Sequence, residues 1–270
     1  MPNNATTVPA GIPNLDTRLT FEPDAHTYHF DGEEVPSVST ILGATVPKPA
    51  LVNWARNMAV KQMEATLLPL VGTKLEVTAA FIKDLAVKAK ARPKAVSDEA
   101  IEIGSLTHKT IEDAITAAKV QGVSVGAALV GTPSYPTLPP QVLTALKGFL
   151  SWLNAHNVEF EATEVRVVDP EKWYAGTFDA IARIDGELTI IDWKTSTGIW
   201  DEYALQLVAY GNAAKVSRGV RATRLMAARF DKNTGEFEAK DVDNLKHRWE
   251  EFQAYRMLYG RLKDHKFKDA

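Results

Sequence analysis

The sequence of 270 residues contains no cysteine. Without thiols the chain can form no disulfide and no zinc finger with cysteine ligands. An iron–sulfur cluster held by cysteine is excluded for the same reason. Disulfide-dense folds, cysteine zinc fingers and ferredoxin-like clusters are therefore not among the classes to consider.

The sequence also lacks a strong charge of one sign and a long apolar run. Its formal net charge is −3, so binding of nucleic acid would have to rest on local patches. No run of 18 apolar residues and no charged-then-apolar signal segment is present, so we expect a soluble cytoplasmic protein with no membrane partner. A P-loop, a Gly-x-Gly-x-x-Gly and a Gly-x-Ser-x-Gly motif are absent too.

What remains is an ordinary globular composition, with 45% hydrophobic and 24% charged residues. The length suits one large α/β domain, or one domain with a helical addition. Residues 1–20 are rich in Pro, Asn and Thr and indicate a flexible arm. A single domain is expected over 21–270, with an N-terminal hairpin and helical part over 21–96 and a core over 97–270.

The apolar spacing predicts a mixed α/β chain with several helices and strands. His26–Val35 predicts a small hairpin through its alternation and its Asp-Gly pair. Residues 122–140 hold four prolines and predict a loop. The predicted helices are 37–42, 49–67, 73–94, 97–120, 141–156, 200–215 and 243–262, and the predicted strands outside the hairpins are 160–168, 224–231 and 237–242.

The segment from Gly176 to Ser196 predicts a second hairpin, on which the chemistry of the chain depends. Two apolar-rich runs flank Asp185-Gly186, a pair typical of two-residue hairpin turns. A symmetric turn sets Asp179 opposite Asp192. Alternation then sets Asp179, Ile181, Leu188, Ile190, Asp192 and Lys194 on one face, and Phe178, Ala180, Ala182, Ile191 and Trp193 on the other.

Two carboxylates directly opposite each other are unfavourable, because their Cβ atoms lie only about 4.5–5.5 Å apart. A divalent cation held by carboxylate oxygens would compensate. The alternative is a surface hairpin whose two acids are solvated. Two features disfavour that alternative: Asp192 follows the apolar run 188–191, and Lys194 shares the face of Asp192.

The same residues resemble a known family. Gly176-x-x-Asp179, about a dozen residues, and then apolar-apolar-Asp192-x-Lys194-Thr-Ser resembles the PD-(D/E)xK nucleases, with Phe178-Asp179 in place of the Pro-Asp pair. It is most similar to the RecB-like branch, which includes the nuclease domains of RecB and AddB, CRISPR-associated RecB-like nucleases and phage exonucleases. The resemblance covers about 97–214 and implies a restriction-endonuclease-like core, a central mixed β-sheet flanked by helices. Some relatives carry a four-cysteine cluster, from which this chain departs.

The resemblance adds residues outside the hairpin. Gly104-x-x-x-His108-x-x-x-Glu112 matches the helix that precedes the hairpin in the family, and it implies that His108 is a metal ligand. Taken alone, a helical histidine is more often a packed or solvated residue. Gln206-x-x-x-Tyr210 matches a motif that lines the active site and contacts nucleic acid. Glu112 and the strand residue Glu164 become supporting groups.

The implied site would hold one or two Mg²⁺ or Mn²⁺ ions through Asp179, Asp192, His108 and the backbone carbonyl of Trp193. Lys194 would orient the attacking water and balance charge. The expected function is a metal-dependent deoxyribonuclease, an exonuclease acting on DNA ends in phage-type recombination or DNA processing. Its expected partners are DNA and a single-strand annealing or recombination protein. The sequence gives neither the polarity of degradation nor the oligomeric state.

Two other classes compete with this interpretation. A catalytically silent DNA-binding or scaffold module of the same fold would be expected to have lost the Asp or the Lys, and this chain keeps both Asp residues and Lys194. A glycosidase would need two carboxyl groups about 5–9.5 Å apart and no lysine between them, which Asp192-Trp193-Lys194 fits poorly.

Overall fold

The computed structural model describes residues 17–74 and 76–264. Most of the expected arm, residues 1–16, lies outside the described residues. Residues 17–20, the last part of the expected arm, are described, and there the expectation of an arm is wrong. Leu19 is the first residue of a β-strand, and its side chain is buried against Tyr28 and Phe30 of the same small sheet.

Seven helices and eight strands are present in the described part of the chain. The strands are β1 (Leu19–Glu22), β2 (Thr27–Phe30), β3 (Glu33–Val35), β4 (Val158–Asp169), β5 (Tyr174–Ile184), β6 (Glu187–Lys194), β7 (Arg224–Phe230) and β8 (Phe237–Asp241). The helices are α1 (Val38–Thr45), α2 (Pro49–Leu67), α3 (Ala79–Gln121), α4 (Val125–Val130), α5 (Pro140–Ala155), α6 (Asp201–Arg218) and α7 (Leu245–Asp264).

The larger sheet has five strands in the order β4-β5-β6-β7-β8. β4, β5 and β6 pair antiparallel, β6 and β7 pair parallel, and β8 returns antiparallel to β7. The parallel pair is joined through α6, as a parallel connection requires a crossover. The expected mixed α/β architecture with a central mixed sheet is therefore confirmed. A separate antiparallel sheet, β1-β2-β3, contains the predicted N-terminal hairpin.

The turn between β5 and β6 explains the register of the central hairpin. Asp185 and Gly186 both adopt positive φ, 52° and 90°, as a two-residue turn of the primed type requires. Ile184 consequently pairs with Glu187 and Ile181 with Ile190, as the sequence predicts.

The predicted alternation along β5 is wrong at Phe178. Phe178 packs on Tyr210 of α6, with ring centroids 6.1 Å apart, and it shares one core with Ile181 and Ile190. The ladder between β4 and β5 is irregular in this stretch: its register shifts next to Phe160, and Glu164 adopts φ +49°. Phe178 and Ile181 are three positions apart, so they can face the same helix only if the regular alternation of side chains along β5 is interrupted between them.

The helices α5 and α6 pack on opposite faces of the sheet. Leu205 and Val208 of α6 join Ile190 in one core, whereas Trp193, three residues after Ile190 in β6, packs on Phe149 of α5. Phe230 and Trp152 complete the aromatic layer around the Trp193 indole. The segment that carries both Asp192 and Lys194 is thus fixed from both sides.

Two helix predictions are corrected. The expected break at Ser97-Asp98 is absent, because α3 continues through Pro93 and both residues; Asp98 forms an ion pair with Lys94 one turn earlier instead of capping a new helix. The helix predicted from Thr73 begins only at Ala79.

The predicted loop 122–140 contains α4 and a short 3₁₀ turn. The helix predicted over 49–67 is found with those bounds.

The chain divides into two compact units. One comprises the described residues up to Val46 together with those from Leu106 onward, and the other is Pro47–Ser105 without Leu75. The residues of the candidate site all belong to the first unit. Within the residues that the structure describes, no helix has the length and apolar character to cross a membrane.

Gly148 provides a test of the packing of α5 on the sheet. A Cβ added there would lie 2.7 Å from the carbonyl oxygen of Gly235 in the turn between β7 and β8. Because that obstacle is backbone, Gly148→Ala should lower the free energy of unfolding by about 1–3 kcal/mol in urea denaturation. Gly43→Ala in α1 is the matched control, since nothing lies within 4 Å of its added Cβ. The control should be neutral or stabilising by up to about 1 kcal/mol, and equal losses in both variants would contradict the packing.

Candidate functional site

Asp179 lies where β5 and β6 cease to pair. The ladder between the two strands runs from Ile184↔Glu187 to Ala180↔Ile191, and the next position sets Asp179 opposite Asp192. Asp179 Oδ2 accepts a hydrogen bond from the backbone N–H of Trp193 at 2.6 Å. The carboxylate thus takes a place that a backbone carbonyl holds in a regular ladder, and the two strands are joined at this point by a side chain.

His108 of α3 meets the other oxygen of the same carboxylate. Its Nδ1 lies 3.1 Å from Asp179 Oδ1. Burial alone would lower the pKa of His108, but the charge and the hydrogen bond of Asp179, with the charge of Asp192, raise it overall. The pKa of Asp179 is lowered: burial opposes its ionisation, and His108, Lys194 and the Trp193 N–H outweigh that effect. The pair therefore favours an imidazolium beside a carboxylate.

Asp192 is paired with Lys194, two residues further along β6. The carboxylate Oδ2 contacts the ammonium, and only 6% of the Asp192 side chain and 15% of the Lys194 side chain are exposed. Burial and the charge of Asp179 raise the pKa of Asp192 against the opposing effect of Lys194. For Lys194, burial lowers the pKa, and the two carboxylates outweigh that effect and raise it. The two buried acids are thus compensated by one cation each.

Helix α6 holds Lys194 from the other side. Lys194 Nζ donates to Gln206 Oε1 at 2.9 Å, and Gln206 Nε2 donates to the Tyr210 hydroxyl at 2.9 Å. The ammonium also lies 4.3 Å from the centroid of the Tyr203 ring, within the range of a cation–π interaction. Tyr203, Gln206 and Tyr210 share one face of α6 because they follow the spacing i, i+3, i+7. Tyr203 was missed as a site residue, although this spacing signals it.

Gly176 is required by the close approach of Tyr210. A Cβ at Gly176 would lie 2.5 Å from Cε1 of the tyrosine ring. The glycine of the Gly-x-x-Asp motif therefore leaves room for the ring that ends the hydrogen-bonded chain from Lys194. This is a packing reason for a motif position that spacing alone does not explain.

The two supporting acids lie at the margin of the site. Glu164 of β4 stands opposite Asp179 in the register, between the pairs Thr163↔Ala180 and Val165↔Phe178. Loss of hydration, with the charges of Asp179 and Glu112, raises the pKa of Glu164 to about 7. The side chain is nevertheless in contact with solvent. Glu112 binds Lys109, with 3.1 Å between carboxylate oxygen and ammonium.

The donors expected to bind a metal are close together but are paired with one another. Among the described residues, no group of three or more His, Asp or Glu side chains is arranged to hold an ion as it stands. Two carboxylates and an imidazole nevertheless suit Mg²⁺ or Mn²⁺, and buried Asp192 Oδ2 makes no hydrogen bond of good geometry. The donor set therefore fits such an ion in kind, and an ion would replace pairings that the side chains now make among themselves.

Trp193 takes part through its backbone and not through its ring. Its N–H faces Asp179, and its indole packs in the aromatic layer against α5, 5.9 Å from the Phe149 ring centroid. The expected role of its carbonyl oxygen as a ligand remains a prediction.

Comparison with known proteins adds little to this geometry. No family model matches the sequence, and no curated protein does. Matches among solved structures include the crystal structure of SSO0001, with 17% identity and a TM-score of 0.27, covering 56% of this chain and 74% of that chain. At this identity and TM-score the likeness assigns neither a fold nor a family.

The ion pair between Asp192 and Lys194 can be tested without any metal. Lys194→Met leaves a buried carboxylate without its cation and should cost about 3–5 kcal/mol of unfolding free energy in urea with EDTA. The double variant Asp192→Asn, Lys194→Met removes both charges and should recover most of that loss. A double variant as unstable as Lys194→Met alone would show that the carboxylate is not the cause.

Proposed function

We propose that this protein is a metal-dependent deoxyribonuclease of the PD-(D/E)xK superfamily, RecB-like branch, and that it acts as an exonuclease on DNA ends. The observation that carries the proposal is the meeting of Asp179, Asp192, Lys194 and His108 at one place. Asp179, Asp192 and Lys194 belong to one hairpin, and His108 reaches them from α3, 71 residues before Asp179. The contact between His108 and Asp179 supports the match to the sequence motif.

The architecture around these residues supports the same proposal. The two acids and the lysine lie on neighbouring central strands of a mixed five-stranded sheet, with α6 crossing between the parallel strands β6 and β7. This arrangement is compatible with a restriction-endonuclease-like core. The separate sheet β1-β2-β3 and the unit 47–105 would then be additions to it.

Asp179, Asp192 and His108 would hold Mg²⁺ or Mn²⁺. When bound, the ion would supply charge neutralisation at the phosphoryl oxygens and a more acidic water. The carboxylates and the imidazole keep their place through contacts that need no ion, from the Trp193 N–H to Asp179 and from Lys194 to Asp192. These contacts hold the two carboxylates beside each other.

Lys194 is placed to act as a cation. Asp192, Gln206 Oε1 and the Tyr203 ring surround its ammonium, so that its direction is fixed. An ammonium held in this way can orient a water molecule or balance charge on a phosphoryl oxygen. We infer that this is its role, and that Gln206 and Tyr210 maintain its position and form a wall facing the nucleic acid.

The proposal predicts degradation of linear DNA with Mg²⁺ or Mn²⁺ and none in EDTA. Asp192→Ala and Lys194→Ala should each reduce the rate by more than about 100-fold, since Asp192 would hold the ion and Lys194 would balance the transition-state charge. The measurement is release of nucleotides from labelled DNA, with circular dichroism to show that the fold is retained. Asp84→Ala is a matched control, because Asp84 forms an exposed ion pair with Lys88 and belongs to the unit that contains none of the site residues.

Undiminished turnover in Asp192→Ala or Lys194→Ala would refute the assignment. If the unmodified chain binds DNA but does not cleave it with either Mg²⁺ or Mn²⁺, the result would favour a catalytically silent DNA-binding module of the same fold.

The proposal that the enzyme needs a DNA end makes a separate prediction. Linear duplex should be degraded and covalently closed circles of the same sequence should be spared over the same time. Linearising the circle with one cut should restore degradation, which provides the control. Equal rates on both forms would indicate an endonuclease. The biological setting we infer is cytoplasmic processing of DNA ends together with a single-strand annealing or recombination protein.

A further inference from the structure

We propose that Arg166 of β4, with the hydroxyl groups of Tyr28 and Thr177, forms a binding subsite for a DNA phosphate beside the acidic cluster. The subsite is separate from the residues of the nuclease motif. It rests on the proposed function only in taking DNA as the ligand.

The pairing of β4 with β5 places these groups. Arg166 pairs with Thr177, and two residues earlier along β4 Glu164 stands opposite Asp179. Arg166 and Thr177 therefore lie two positions along the paired strands, about 7 Å, from Glu164 and Asp179.

The guanidinium of Arg166 is positioned but not neutralised. Its Cζ lies 5.5 Å from the centroid of the Phe21 ring, and Arg166 is exposed. In the described part of the chain Arg166 makes no ion pair, whereas other arginines bind carboxylates in the pairs Arg18–Asp31, Arg183–Glu161, Arg224–Asp241, Arg229–Asp231 and Arg248–Glu251. A guanidinium resting on a ring with its N–H groups available matches the geometry of a phosphate.

Two hydroxyls complete the subsite. Tyr28 of β2 and Thr177 of β5 are joined by a hydrogen bond of 2.8 Å between their side-chain oxygens. One of the two must donate, so the other hydroxyl keeps a proton that this bond does not use. Burial raises the pKa of Tyr28, the hydrogen bond with Thr177 and the charge of Arg166 lower it, and the charge of Glu164 raises it.

A phosphate is the ligand that this combination suits. A cationic fork beside neutral hydroxyl donors binds an anion with several acceptor oxygens. The neighbouring acids repel a polyanion, so a strand that reaches them needs a cation on the approach. Arg166 supplies that cation on the side of the sheet β1-β2-β3, and it would hold a phosphate adjacent to the one that the acidic cluster addresses.

The test measures binding without cleavage. Fluorescently labelled linear DNA is titrated with the full chain in EDTA at several salt concentrations, and anisotropy gives the Kd. Arg166→Gln should weaken binding about tenfold at low salt. It should also reduce the slope of log K against log salt by about 0.9 for duplex, or about 0.7 for a single strand, because one phosphate contact is lost.

Three further variants separate charge from packing. Arg183→Gln, which removes an exposed arginine paired with Glu161 on the neighbouring strand, should leave Kd and slope unchanged. Arg166→Lys should keep the slope and lose part of the affinity, because the charge remains and the fork does not. Thr177→Val should weaken binding without changing the slope, since a neutral hydroxyl releases no counterion.

Equal Kd and equal slope for Arg166→Gln and the unmodified chain would overturn the subsite, whatever the nuclease assay shows. Equal losses in Arg166→Gln and Arg183→Gln would overturn it as well, because a general loss of charge would then explain both. If Arg166→Gln loses affinity and slope as expected while no cleavage occurs, the subsite stands and the proposed nuclease activity fails.

Discussion

Two acids set opposite each other on adjacent buried strands are the constraint on which the rest of this structure depends. Asp179 and Asp192 repel each other, and burial makes both costly to ionise. The fold answers with a separate partner for each acid: His108 with the Trp193 N–H for Asp179, and Lys194 for Asp192. Sequence reasoning expected a metal ion to offset this repulsion, and that expectation remains a prediction.

The stability needed to hold these charges comes from the opposite face of β6. The Trp193 indole is almost fully buried among Phe149, Trp152, Phe160 and Phe230. Because side chains alternate along a strand, each site residue of β6 is separated from the next by a residue that packs in this layer. The aromatic layer therefore fixes the height and direction of Asp192 and Lys194, and a loss of packing there would be felt at the ion pair.

The parts of this fold that could be predicted are those governed by local rules. The Asp185-Gly186 turn sets the register of the central hairpin, and that register brings the two acids together. Apolar spacing gives α2 and α5 to within a residue. A local signal does not predict the structure where a longer helix runs through it. Ser97 and Asp98 are residues typical of a helix N-cap, yet they lie inside α3, where Asp98 forms an ion pair with Lys94.

What could not be predicted depends on contacts between distant segments. The face of Phe178 is decided by an irregular ladder in which Glu164 adopts positive φ, and no residue type in the sequence signals it. Tyr28 and Phe21 reach this region because the sheet β1-β2-β3 packs on the end of β4 and the start of β5, more than 140 residues away in sequence. The hydrophobic pattern of a strand specifies which side is buried, and it does not specify which other sheet covers it.

A nuclease site built on carboxylates faces an inherent conflict, because the groups that would hold a metal repel the substrate. In the proposed nuclease, two cations would address that conflict from two sides. Lys194 lies on the side of α6, fixed by Gln206 and the Tyr203 ring. Arg166 lies on the side of β1-β2-β3, fixed by the Phe21 ring and free of acidic partners in the described chain. The net charge of −3 does not reveal that two cations lie beside the acids. The position of two cations beside the acids, and not the overall charge, is what would let a polyanion approach them.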